Sequence, residues 1–222
     1  MWTHRMSKAN LFSTSRIYAI TPDEKNTEIL LAKTEALLQA GIGMLQYRNK
    51  AADEDLRGWQ ATGLKALCES YQVPFIINDH VDLCIAINAD GIHLGGTDED
   101  IALARSRLGA SKIIGASCYN RLDLALQAQE DDADYVAFGA CFPSGTKPNA
   151  VKAELSLFQE KLKIPKVAIG GITLQNLQLL QAADAVAIIN ALYNADNIAE
   201  TTQHFNRLLK PKHHDLSQSN AV

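Results

Sequence analysis

The sequence has no C-x-x-C pair: Cys68, Cys84, Cys118 and Cys141 are its four cysteines and they are widely spaced. That excludes a zinc knot and a dithiol redox motif, and leaves reduced intracellular thiols as the expectation. No apolar run approaches the roughly 18 residues of a spanning helix, so no membrane partner is expected. Charge of one sign is also scarce. Lys and Arg number 21 against 25 Asp and Glu, a net charge of −4, and the two signs are interspersed, so the basic footprint of a nucleic-acid binder is missing. A few local cations could still hold a small anion. No G-x-G-x-x-G follows the first strand candidate, which reads IYAITPDEK from Ile17, so the dinucleotide-binding signature is absent too.

The opening MWTHRMSKANLFSTSR carries basic and Ser/Thr residues and no acid. Residues 1–15 are expected to be a flexible leader, with a faint likeness to an organellar transit peptide as the alternative. The polar, aperiodic PKHHDLSQSNAV is expected to be a flexible tail over 211–222, with its two histidines solvated. A cytoplasmic location is expected, and a homodimer is compatible with the chain.

What the sequence has is hydrophobic content, 47% over 222 residues, enough for a sizeable core. Eight short β-rich runs recur, at 17–20, 44–47, 74–77, 91–94, 112–116, 135–138, 166–169 and 185–189. Helical patterns with apolar residues at i, i+3 and i+4 separate most of them, over 27–40, 54–71, 100–108, 121–129, 153–163 and 174–183. Alternating strand and helix implies right-handed βαβ crossovers and a parallel sheet. Eight units fit a single (β/α)8 (TIM) barrel over 16–210 better than a doubly wound sheet, which usually stops at five or six strands.

In such a barrel the chemistry sits where strands end. The second strand runs into MLQYRNK, where Gln46, Arg48 and Lys50 alternate on one face while Leu45 and Tyr47 are expected against the helices. Other strand ends carry Asn78-Asp79-His80, His93 leading to Asp98, Ser117, the run Pro143 to Lys147, Gly170-Gly171 and Asn190. Singly, these are ordinary solvated charges, caps and turns. Together they put three cations (Arg48, Lys50, Lys147), two carboxylates suited to Mg²⁺ (Asp79, Asp98) and a glycine turn on one rim. Arg grips phosphate bidentately, Lys adds a point charge, and Mg²⁺ is held by one or two carboxylates plus substrate phosphates. A pyrophosphate near Mg²⁺ and a monophosphate near Gly171 are the expected ligands. Asp79, His80 and His93 raise a rival zinc or iron site, but their spacing matches no zinc signature.

The motifs QYRNK (46–50), ND (78–79), ADGIHLGGTD (89–98), IGAS (114–117), ADYVAFGACFPSGTK (133–147) and AIGGI (168–172) occur in the order and spacing of one family. Over about residues 16–209 the chain resembles the thiamine phosphate synthases. The resemblance implies a transferase that joins 4-amino-2-methyl-5-(diphosphooxymethyl)pyrimidine to a thiazole monophosphate, releasing pyrophosphate by way of a pyrimidinylmethyl cation. It implies that Gln46, Tyr47, Arg48, Asn49, Lys50, Asn78, Ser117 and Lys147 hold the pyrimidine diphosphate, with Arg48, Lys50, Lys147 and Ser117 carrying the catalysis. Asp79 and Asp98 would bind Mg²⁺, and Ser144, Gly145, Thr146, Gly171, Ile189 and Asn190 the thiazole phosphate. The chain departs from the family pattern at Gly96, where Gln is usual, and at Asn190, where Ser is usual; Ser144 stands where Thr is commoner. A thiazole phosphate aromatizing isomerase and a non-catalytic barrel binding a phosphorylated metabolite are the alternatives. Segments 49–58 and 143–152 are expected to be mobile lids.

Overall fold

A computed structural model describes residues 10–96, 99–143 and 151–209. Eight parallel strands close into a barrel in sequence order: β1 (Ile17–Ile20), β2 (Met44–Tyr47), β3 (Phe75–Asn78), β4 (Gly91–Leu94), β5 (Ile113–Tyr119), β6 (Tyr135–Phe138), β7 (Lys166–Ile169) and β8 (Ala185–Ile188). The (β/α)8 barrel expected from the sequence is the observed fold. The helices are α1 (Thr27–Gln39), α2 (Glu54–Tyr71), α3 (Val81–Ala86), α4 (Ile101–Leu108), α5 (Leu122–Glu130), α6 (Asn190–Tyr193) and α7 (Ile198–Leu208). The helices expected over 153–163 and 174–183 shrink to 3-10 turns at Leu155–Gln159 and Leu177–Leu180. Each is a single tight turn with its apolar side chains, such as Phe158 and Leu177, folded onto the barrel wall.

Short polar side chains start the longer helices. The Oδ1 atoms of Asn26, Asp53, Asp100 and Asn197 accept from amides three residues on, at 2.9–3.1 Å. Asp53 and the helix from Glu54 also correct the lid expected over 49–58, whose second half is the first turn of α2. Trp59 on the same helix is 73% exposed.

Two apolar layers follow from the period of two along each strand. Leu45, Tyr47, Phe75 and Ile77 face outward into the layer beneath the helices. Tyr18, Met44, Ile76, Tyr135 and Val167 face inward and fill the barrel. Leu11 and Phe12 join this inner cluster. Within the span expected as a leader, residues 10–15 thus bury two large apolar side chains against the barrel, at 2% and 6% exposure. All four cysteines are free and buried, and burial pushes the thiols of Cys84 and Cys141 up to about 11. Among the described residues no helix is long and apolar enough to cross a membrane.

The end opposite the strand C-termini is fastened by a repeated Ala-Asp. Asp90, Asp134 and Asp184 each stand just before a strand, and each carboxylate accepts an amide of the preceding strand at 2.9 Å: Phe75, Ile114 and Lys166. Arg105 donates to buried Asp134 at 2.5 Å and to the carbonyls of Lys112 and Asp132. Removing Asp134 takes away the shorter of the two carboxylate partners of Arg105, leaving Asp132 at 3.4 Å, and deprives the Ile114 amide of this buried acceptor. Asp134→Ala is thus expected to destabilise the fold by about 3 kcal/mol while leaving substrate KM values unchanged, as measured by urea unfolding beside steady-state kinetics.

Candidate active site

The strand C-termini open into a cavity of about 810 Å³. Of the ligand residues expected from the sequence, Gln46, Arg48, Asn78, Ser117, Gly171, Ile189 and Asn190 line it. These come from five strands or the turns just after them, and barrel closure alone brings them together. Ser144, Gly145, Thr146, Lys147 and Asp98 lie outside the described residues.

On β2 the alternation divides the motif. Gln46 points inward at 2% exposure, whereas Tyr47 is directed to the helix layer, where its hydroxyl donates to Gln60 Oε1 at 2.9 Å. Burial pushes that phenol up to about 12. The Tyr47 side chain is therefore held away from the cavity. Asn49 Nδ2 donates to the Glu24 carbonyl at 2.7 Å and to Gln60 Oε1 at 3.0 Å, so its side chain braces the loop after β1 against α2. Neither residue is among those lining the cavity.

Arg48 enters the cavity from the strand end. Thr21 Oγ1 accepts from the Arg48 amide at 2.8 Å and donates to its carbonyl at 2.9 Å. Asp23 Oδ1 accepts from Arg48 Nη1 at 3.2 Å and from the Lys50 amide at 2.8 Å. One loop carboxylate thus organises both cationic residues. Sequence reasoning missed Asp23 because only folding lays the loop after β1 beside the end of β2.

Lys50 Nζ lies 3.5 Å from Asp79 Oδ2 at the mouth. Asp79 adopts φ +64°, a left-handed conformation that costs a non-glycine residue about 1 kcal/mol and is concentrated at functional sites. Its amide nevertheless continues the sheet ladder to the His93 carbonyl at 2.9 Å. His93 bonds Tyr135 Oη through Nδ1 at 3.0 Å and Ser117 Oγ through Nε2 at 2.9 Å. Both ring nitrogens are thereby engaged inside the barrel, which displaces the rival zinc or iron site. Among the described residues no group of three or more His, Cys, Asp or Glu could share an ion.

The far wall is the turn after β7. Gly170 and Gly171 have φ +99° and +62°, and a Cβ on Gly171 would stand 2.3 Å from the Pro143 carbonyl oxygen. Asn176 fixes the turn, donating through Nδ2 to the Gly171 carbonyl at 2.8 Å and accepting at Oδ1 from the Thr173 amide at 2.9 Å. Next to it Ile189 and Asn190 close β8 and open the short α6. The loops after the seventh and eighth strands are the usual phosphate cradle of this fold.

A buried polar chain crosses the cavity floor and was also missed. Gln46 Nε2 donates to Tyr18 Oη at 2.7 Å, Tyr18 Oη lies 2.7 Å from Tyr135 Oη, and Tyr135 leads through His93 to Ser117. The sequence held one signal for it, the glycine of IGAS: a Cβ on Gly115 would fall 2.0 Å from Tyr135 Cζ, so only glycine admits that ring.

A family model described as thiamine monophosphate synthase matches residues 17–192. The chain is 51% identical over 207 residues to the thiamine-phosphate synthase of Methylobacillus flagellatus, covering 91% of this chain and 99% of that protein. It is 48% identical over 199 residues to that of Nitrosomonas eutropha, covering 87% and 94%. Among solved structures, the thiamine phosphate pyrophosphorylase from Pyrococcus furiosus matches with a TM-score of 0.78 at 30% identity, over 90% of this chain and 96% of that one. A 3-hexulose-6-phosphate synthase matches at a TM-score of 0.64 and 15% identity, over 87% of this chain and 99% of that one, a likeness of fold alone.

Proposed function

The chain belongs to the thiamine monophosphate synthase family and is a transferase that forms thiamine phosphate; from that premise we propose that it joins 4-amino-2-methyl-5-(diphosphooxymethyl)pyrimidine to a thiazole monophosphate by dissociative substitution. The observation that carries this is the layout of the cavity, with Gln46, Arg48, Asn78 and Ser117 on one side and Gly171 and Asn190 on the other. That arrangement suits a ring carrying a diphosphate facing a second ring carrying a monophosphate.

The C–O bond to the pyrimidinylmethyl carbon breaks first, and its electron pair leaves with pyrophosphate. The resulting cation is stabilised by the ring's own amino group. Arg48 and Lys50, with Lys147, stabilise the charge that gathers on the departing oxygens, the point at which electrostatic stabilisation contributes most. Asp23 orients Arg48 for this task. The thiazole nitrogen then attacks the cation, and positioning by the Gly171 turn supplies most of the assistance. No side chain has to act as nucleophile or base. Walls such as Ile20, Val167 and Ile169 limit the water that would otherwise trap the cation as an alcohol.

Mg²⁺ fits the residues present: Asp79 offers a hard carboxylate at the mouth, beside the Lys50 ammonium, and Asp98 is the second candidate ligand. When bound, the ion would neutralise charge on the leaving pyrophosphate. The proposal extends to a cytoplasmic enzyme, for which the buried, reduced thiols are the support, and to a homodimer, which sedimentation would test.

Thermal shift with each substrate separates this reading from the isomerase and from a non-catalytic barrel. Stabilisation by the pyrimidine diphosphate that requires Mg²⁺ is the expected result. Stabilisation by the thiazole phosphate alone, with no response to the diphosphate, would reject it.

A further inference from the structure

The chemistry above leaves Tyr18, Tyr135 and His93 without a part to play. All three are buried, at 1%, 0% and 7% exposure, inside a barrel otherwise filled with apolar side chains. They join the two cavity-lining groups Gln46 and Ser117 through four hydrogen bonds of 2.7–3.0 Å. The rings are also fixed by packing. Tyr18 meets Tyr135 edge-on, with centroids 5.7 Å apart, and His93 stacks on Tyr135 at 5.6 Å.

Such a chain carries direction, because each hydroxyl has one proton to give. Gln46 donates through its amide nitrogen, so Tyr18 receives there and gives its own proton to Tyr135. Tyr135 then gives to Nδ1 of His93, and the neutral imidazole gives from Nε2 to Ser117 Oγ. The Ser117 hydroxyl proton is left for the cavity, as is the Gln46 carbonyl oxygen, which has no bond among the described residues. Reversing one link would oblige every other link to reverse, and bonds in series reinforce one another in a low-dielectric interior. Burial pushes both phenols upward, so they stay protonated.

The cavity therefore shows a fixed pair of groups, an acceptor at Gln46 and a donor at Ser117. A 4-aminopyrimidine shows the complement: an amino donor and ring-nitrogen acceptors. A 4-oxopyrimidine, with a carbonyl acceptor and a ring N–H, inverts one side of that pattern. Resting on the substrate reading above, we propose that Tyr18, Tyr135 and His93 are positioning residues that set the proton order of Gln46 and Ser117 and so make the site specific for a 4-aminopyrimidine over its 4-oxo counterpart. Gly115 belongs to the same device, since a side chain there would expel the Tyr135 ring.

The test is calorimetric binding of the 4-amino and 4-oxo forms of 5-hydroxymethyl-2-methylpyrimidine monophosphate, which have no pyrophosphate to lose. Wild-type protein is expected to favour the amino form by about 100-fold, the scale set by leaving one buried polar group unsatisfied. Tyr135→Phe, which keeps the ring and removes the linking hydroxyl, should cut that ratio below about tenfold, and Tyr18→Phe should do likewise from the Gln46 end. Affinity for inorganic pyrophosphate and for thiazole phosphate should not move in either variant. A purely structural role would weaken both pyrimidines alike and leave the ratio intact. A full wild-type ratio in both folded variants, in a protein that makes thiamine phosphate, overturns this inference alone. A wild-type protein that makes no thiamine phosphate removes the substrate reading beneath it as well.

Discussion

Arg48→Ala should lower kcat/KM for the pyrimidine diphosphate by about 1000-fold, or about 4 kcal/mol of transition-state stabilisation. The guanidinium is the described cation that lines the cavity, held by Thr21 through the backbone and by Asp23 through Nη1. In the proposed mechanism the charge facing Arg48 grows as the C–O bond breaks, so the loss should fall mainly on kcat. Arg48→Lys should recover only part of it, since an ammonium cannot reproduce the planar fork. Because Arg48 and the Gly171 turn belong to different walls, the Kd for thiazole phosphate should stay within about twofold. Steady-state kinetics with each substrate varied in turn checks both statements. A fall confined to thiazole phosphate binding would reassign the residue.

Gly171→Val should act in the opposite compartment. At φ +62° a β-branched side chain is strained, and its Cβ would meet the carbonyl oxygens of Pro143 and Phe142 at 2.3 and 2.6 Å. Backbone must move for the residue to fit, and it is the backbone of this turn that would meet the phosphate. The expected outcome is a rise of about 100-fold in KM for thiazole phosphate, with Mg²⁺-dependent stabilisation by the pyrimidine diphosphate retained. Kinetics and thermal shift on the same variant decide it. An unchanged KM would mean that the phosphate is held elsewhere.

The barrel was legible because each strand announces itself locally. Runs such as GIHL and YVAF are β-rich and bounded by turn residues, and five of the eight strands fall at the expected boundaries. β5 runs on to Tyr119 through an irregularity between Ser117 and Tyr119, a feature set by pairing with β6 that no local pattern reveals. Helix α7 escaped notice because its buried face is carried by Thr202 and Phe205, and a threonine is invisible to a count of apolar spacing. The helix over 153–163 was the converse error: its apolar residues have helical spacing, but they serve one tight turn ahead of Pro165.

The site divides in the same way. Cations and carboxylates at strand ends stand out against a parallel-barrel background, which is why Arg48, a residue of the cavity lining, could be singled out from the sequence. Tyr18 and Tyr135 look like core residues, and they are core residues; their hydroxyls meet across 117 positions of sequence only once the barrel closes. Asp23 sits in a polar loop indistinguishable from any other until β2 is laid beside it.

The most direct test of the account is to incubate the wild-type chain with the pyrimidine diphosphate, the thiazole phosphate and Mg²⁺, and to follow the products by mass. The account predicts thiamine phosphate and pyrophosphate in equal amounts, with little pyrimidine alcohol. Intact diphosphate, or pyrophosphate matched by the alcohol with no thiamine phosphate, would contradict it.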